Sequence, residues 1–308
     1  MTKRSVGVLI LAGLVFTGGC QTTLQSLVLR PSETFRMTPA DFGLSFEGKS
    51  IPGKENTEIS IWHVKAVGER KGIVVIVPGN DANKGRYAIG LPVFVEAGWD
   101  VILMDYEGFG ESTGAPSFDG LIRSTFTVVD YAKTLDDTVV GFGVSLGTAV
   151  LARVAAERDF TAVIFESFTD VWSEPSLFAG RHLFSSPVWA AADAIAALST
   201  TQDYNSRHWI TLVTEPKLFL HSPDDNVTPY DGAWQLFKLA PQPKHFFVTQ
   251  GEHALQLFID PVMYREIVSG WLDGITQADP ILNQRFQEIL DTEVRATLEE
   301  LGFAPAAP

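Results

Sequence analysis

The chain has 308 residues, of which 45% are hydrophobic and 19% charged, so it can bury a packed core and is too apolar for wholesale disorder. Its 23 Lys and Arg stand against 37 Asp and Glu, and a net charge of -14 argues against nucleic acid as a partner, because no basic footprint is left for phosphates. The single Cys excludes an intramolecular disulfide framework and a multi-Cys zinc site.

The first residues read as a processing segment. Lys3 and Arg4 form a short basic region, Val6 to Phe16 is apolar, and small Thr17, Gly18 and Gly19 lead into Cys20. The run is shorter than the ~20 residues needed to span a bilayer. This stretch resembles a bacterial lipoprotein signal, with Thr17 where that pattern usually has Leu. The resemblance implies a signal peptide over 1–19 and lipid attachment (palmitate) at Cys20. The mature chain would then be exported and membrane-anchored without spanning. Gln21 after the Cys, rather than Asp, implies the outer membrane facing the periplasm.

Residues 20–57, rich in Thr, Ser, Pro and Gly, read as a tether and entry segment, leaving 58–308 as one catalytic-sized domain. Glu58–Lys65 alternates apolar and polar residues and predicts an edge strand at an antiparallel start. Continuous apolar runs follow at Ile73–Val77, Val101–Met104, Val139–Phe142, Ala162–Phe165, Lys217–Leu220 and Phe246–Val248. Such runs suit strands buried on both faces of a mostly parallel sheet. Helical stretches such as Phe118–Thr134 and Leu146–Arg158 separate them, so the fold class is a doubly wound α/β sheet. Residues 171–216, rich in Trp, Phe, Ala and Ser, break this rhythm and read as a helical lid insertion. Apolar residues at helical spacing predict an amphipathic helix over 280–302.

The candidate chemistry lies on loops. Gly143-Val144-Ser145-Leu146-Gly147 follows a strand and opens a helix, the context of a G-x-S-x-G elbow. A nucleophile in so sharp a turn needs Gly on both flanks, because a Cβ there would crowd it. A serine hydroxyl needs a base. Of six histidines, His253 alone sits on a Gly-turn just past the last predicted strand. His63, His221 and His245 belong to strand patterns, and His182 and His208 to the insertion. The base needs an acid. Asp225, four residues before Pro229, is the candidate, with adjacent Asp224 as the alternative. Two backbone amides must meet the oxyanion, one from Leu146 and one from the loop Pro78-Gly79-Asn80-Asp81-Ala82-Asn83, with Asn80 as the candidate.

These motifs, with Asp105-Tyr106-Glu107-Gly108-Phe109-Gly110-Glu111-Ser112-Thr113-Gly114-Ala115-Pro116-Ser117, resemble the serine-aminopeptidase-like, Bem46-like group of α/β-hydrolases. The likeness runs from about Ile73 to His253, with Pro78 in place of a usual His and Glu107 in place of a usual Arg. It implies an α/β-hydrolase domain with a lid, and a Ser145–His253–Asp225 serine hydrolase that needs neither metal nor organic cofactor. The expected substrate is a small-molecule acyl ester, as for a carboxylesterase, lipase or thioesterase. The alternatives are an aminopeptidase of the same fold, in which Glu166, Asp170 or Glu174 grips the substrate amine, and a non-catalytic binding lipoprotein. No oligomeric state is implied.

Overall fold

Short apolar runs become strands here because helices cover both faces of the sheet. The computed structural model describes residues 29–170, 202–254 and 261–276. The strands are β1 (Phe46–Pro52), β2 (Glu58–Val64), β3 (Gly72–Val77), β4 (Trp99–Met104), β5 (Val139–Val144), β6 (Ala162–Glu166), β7 (Lys217–His221) and β8 (Lys244–Val248). They form one eight-stranded sheet in the order β1-β2-β4-β3-β5-β6-β7-β8. β1 pairs antiparallel with β2, and β2 antiparallel with β4. The remaining pairs are parallel.

The helices are α1 (Leu91–Val95), α2 (Phe118–Leu135), α3 (Leu146–Ala155), α4 (Tyr230–Leu239) and α5 (Pro261–Thr276). Side chains alternate across a strand. In β3, Ile73, Val75 and Val77 therefore join Val128, Leu151 and Leu236 of α2, α3 and α4 in one core cluster. Val74 and Ile76 join Phe94 of α1 and Trp271 of α5 in the other. Ser117 caps α2 by accepting the Gly120 amide at 3.0 Å.

One expectation is corrected at the sheet's start. β2 is not the edge strand: β1 pairs outside it, from Phe46 opposite Val64 to Pro52 opposite Glu58. β1 lies inside the stretch expected to be tether and entry segment. It is mostly exposed, which is why its composition reads like a linker. From Ile59 onward β2 is buried on both faces despite its alternating sequence, because Trp62 packs against Phe35 and Phe46 at 4.9 and 5.1 Å between ring centroids.

The expected signal segment 1–19, Cys20, the tether up to residue 28, residues 171–201 of the expected lid and the helix at 280–302 lie outside the described residues. Residues 202–216 are described. They include a single-turn helix, Ser206–Trp209, with Ser206 buried. There Arg153 of α3 donates to Asp203 at 3.0 Å and stacks over Trp209 at 4.3 Å. Among the described residues, no helix is long and apolar enough to cross a membrane.

Candidate active site

Parallel strands deliver their C-terminal ends to one edge, and the structure brings three of the sequence-selected residues together there. Ser145 follows β5, Asp225 follows β7 and His253 follows β8. The Ser145 hydroxyl lies 2.9 Å from His253 Nε2, and His253 Nδ1–H donates to Asp225 Oδ2 at 2.8 Å.

The turn at Ser145 is strained. Its φ of 53° and ψ of -123° are costly for a residue with a Cβ. The flanking glycines are sterically required. A Cβ on Gly147 would lie 2.2 Å from the Val77 carbonyl and 2.4 Å from that of Pro78, and one on Gly143 would lie 2.9 Å from the Gly147 carbonyl. Glu166 holds the turn from β6, its carbonyl accepting the Ser145 amide at 2.9 Å. Leu146 is the first residue of α3, so its amide belongs to the positive end of that helix.

Asp225, not exposed Asp224, faces His253. The Asp225 carboxylate is fully enclosed, whereas the imidazole retains 19% exposure. Besides His253, Asp225 accepts the amides of Val227 and Thr228 at 2.9 and 2.8 Å and the Thr228 hydroxyl at 2.8 Å. Burial alone would push this carboxyl up. The His253 hydrogen bond, the charges of His253 and His221 and the Thr228 amide outweigh it and hold the group down to about 2. Thr228 was not selected from sequence, although it stands three residues after Asp225, where a short polar side chain can close the turn. His221 Nε2 donates to the Thr228 carbonyl at 2.9 Å, and burial lowers the pKa of this histidine against the opposing pull of the Asp225 charge.

The loop after β3 runs directly against the nucleophile. A Cβ on Gly79 would lie 3.4 Å from Ser145 Cβ. Two tyrosines orient this loop where the resemblance has a His in place of Pro78. Tyr106 donates to the Pro78 carbonyl at 2.6 Å, and the Gly79 amide donates to the Tyr87 hydroxyl at 2.6 Å. The Gly79 N–H is thereby engaged, and the next amide in the chain is that of Asn80. Glu107 is likewise compensated: Arg123 of α2 binds it through two nitrogens at 2.6 and 3.3 Å.

Two of the acids considered for gripping an amine are engaged elsewhere. Glu166 is buried and accepts the Tyr264 hydroxyl of α5 at 2.6 Å. Burial raises its carboxyl to about 7, against the Tyr264 hydroxyl and His253, with the Asp225 charge adding to the rise. Asp170 pairs with Arg207 at 2.5 Å. Glu174 lies outside the described residues. Among the described residues, no three His, Cys, Asp or Glu are grouped as a metal ion would require.

Residues 68–175 match the family model for serine aminopeptidase, S33. The chain is 30% identical over 217 residues to the lysophosphatidylserine lipase ABHD12 of Mus musculus, a match covering 64% of this chain and 52% of that protein. It thus spans about half the length of that relative. It is 26% identical over 224 residues to the uncharacterized protein YfhR of Escherichia coli strain K12, covering 68% of this chain and 74% of YfhR. Among solved structures it resembles the Pyrococcus furiosus esterase Pf2001, with a TM-score of 0.67, 15% identity and coverage of 80% and 97% of the two chains. It also resembles the esterase EaEST from Exiguobacterium antarcticum, with a TM-score of 0.55, 16% identity and coverage of 73% and 99%. Strand order, elbow and these likenesses give the chain the α/β-hydrolase fold.

Proposed function

We propose that this chain is a serine hydrolase that cleaves acyl esters through a covalent acyl-enzyme. The observation that carries the reading is the continuous line from the Ser145 hydroxyl through His253 to Asp225, at 2.9 and 2.8 Å. In this mechanism His253 Nε2 takes the hydroxyl proton as Ser145 Oγ bonds to the substrate carbonyl carbon. The carbonyl π electrons move to oxygen, and the amides of Leu146 and Asn80 receive that charge. Collapse of the tetrahedral adduct breaks the bond to the leaving alkoxide, which takes the proton from His253. Water repeats the cycle and frees the acid. Asp225 keeps the imidazole in the Nδ1–H form and stabilises its cation.

The names borne by the relatives, a lysophosphatidylserine lipase and two esterases, support an ester as substrate. The aminopeptidase reading draws on the family model's description, but Glu166 and Asp170 are both committed to internal partners. A fluorophosphonate probe tests the assignment. It should label the wild-type chain and leave Ser145→Ala unlabelled; equal labelling of both, or of neither, overturns it. Turnover of short p-nitrophenyl esters should exceed that of aminoacyl anilides, and the reverse would select the peptidase.

The amino-terminal segment supports export and anchoring through an acylated Cys20. Cys20→Ser should release the mature chain from membranes; persistence of the variant in the membrane fraction would end that reading.

A further inference from the structure

The loop that carries Asn80 is also held by the segment just ahead of the sheet. Arg30 and Pro31 pair in parallel with Asp81 and Ala82. The Arg30 amide donates to the Asn80 carbonyl at 2.9 Å. Buried Asn83 donates from one Nδ2 to the carbonyls of Ser32 and Thr34, at 2.8 and 3.0 Å, while its Oδ1 accepts the Gly85 amide at 3.1 Å. Contact continues downstream, where a Cβ on Gly85 would lie 2.5 Å from the Met37 carbonyl. Leu29, at the head of this segment, is buried in the main core.

The loop is bracketed along the chain. Ahead of the Asn80 N–H, Tyr106 holds the Pro78 carbonyl and Tyr87 holds the Gly79 amide. Behind it, Arg30 holds the Asn80 carbonyl. The peptide between Gly79 and Asn80, which carries the Asn80 N–H, is therefore fixed in place at both ends. A displacement of a fraction of an ångström matters here, because a donor acts only within about 2.7–3.1 Å of the developing oxyanion.

We propose that Arg30–Thr34 is a positioning strap for the oxyanion loop, acting on catalysis through the Arg30 amide and the Asn83 side chain. This inference rests on the proposed ester hydrolysis and names a device that sets its efficiency. The strap touches no substrate. Its loss should loosen the hold on the transition state and leave ground-state binding alone, which is the signature of lowered kcat at constant KM.

Three variants of the full chain test it. Arg30→Pro removes the donated N–H, whereas Arg30→Ala removes only a side chain that lies exposed and leaves the amide in place. Asn83→Asp keeps the acceptor for Gly85 and replaces the two donated hydrogens with an oxygen facing two carbonyls. On p-nitrophenyl acetate, Arg30→Pro and Asn83→Asp should each lower kcat about tenfold with KM within about twofold, part of the 10²–10³ expected for losing a whole oxyanion donor. Inhibition by a trifluoromethyl ketone, which forms the oxyanion adduct, should weaken by the same factor, and Arg30→Ala should match the wild type. Unchanged kcat and unchanged inhibitor affinity in both strap variants would overturn the inference while leaving the hydrolase reading intact, provided Ser145→Ala is inactive. Parallel losses in kcat, KM and melting temperature would overturn it as general loosening. A wild-type chain that neither hydrolyses nor labels overturns the hydrolase reading, and this inference with it.

Discussion

Replacing Asp225 with Asn changes one atom and should disable the base. The carboxylate meets four donors: two amides on one oxygen, and the Thr228 hydroxyl and His253 Nδ1–H on the other. An Asn side chain has one acceptor end. If its oxygen keeps the Val227 and Thr228 amides, its NH₂ faces Nδ1, and the imidazole must accept there. Nε2 then carries the proton and points it at Ser145. The opposite flip leaves the part-buried Val227 amide and the buried Thr228 amide without an acceptor, the latter at about 1–3 kcal/mol. The wrong tautomer therefore prevails, and kcat should fall about 10³–10⁴-fold. Stability changes as well. The carboxyl moves from 3.8 to about 2 on folding, which corresponds to roughly 2 kcal/mol of native stability. Because the native value is the lower one, that stability is complete above the unfolded value and disappears as pH falls through about 2. Steady-state hydrolysis of p-nitrophenyl acetate and urea midpoints at pH 7 and pH 2 measure both effects, with Asp224→Asn as the comparison. An Asp225→Asn enzyme retaining more than a tenth of wild-type kcat, or a larger loss in Asp224→Asn, would refute the reasoning.

Further consequences follow from neighbouring groups. Ser145→Gly should be inactive yet raise the melting temperature, since relieving the positive φ recovers part of about 1–3 kcal/mol of strain; differential scanning calorimetry reads this directly. Glu166 titrates at about 7 in the fold against an ordinary 4.5, so the stability it contributes at low pH is lost as pH rises through that window. Glu166→Gln should accordingly equal the wild type in urea at pH 4 and exceed it by up to about 3 kcal/mol at pH 8. Lys84 is wholly buried, donating to Asp105 at 2.5 Å and to Ser60 at 2.9 Å. Lys84→Met leaves Asp105 as an uncompensated buried charge and should cost about 3–5 kcal/mol in urea unfolding, with part of that recovered by adding Asp105→Asn.

The inner strands were legible because burial on both faces leaves no room for polar residues, so Ile73–Val77 and Val101–Met104 announce themselves. β1 was not, since an edge strand with most of its side chains in water carries the residues of a linker. The elbow could be read because steric limits at Gly143 and Gly147 leave a mark in the sequence. Asp224 and Asp225 could not be separated, because turn chemistry tolerates either and only the direction of the side chains distinguishes them. The roles of Tyr87 and Tyr106 are hidden in the sequence for another reason. Each works through a phenolic oxygen on one backbone group, and nothing in residue spacing records where that oxygen lands. The strap is harder still, as its contacts are mostly carbonyls and amides that every residue owns.

The pair of Asp170 and Arg207 has a consequence of its own. With the Ser206 hydroxyl donating to the Thr169 carbonyl at 2.9 Å, it ties the segment after β6 to the single-turn helix Ser206–Trp209. Loss of the Arg207 guanidinium would strip the buried Asp170 carboxylate of this cation, so the clasp is itself part of what keeps the end of β6 closed against water.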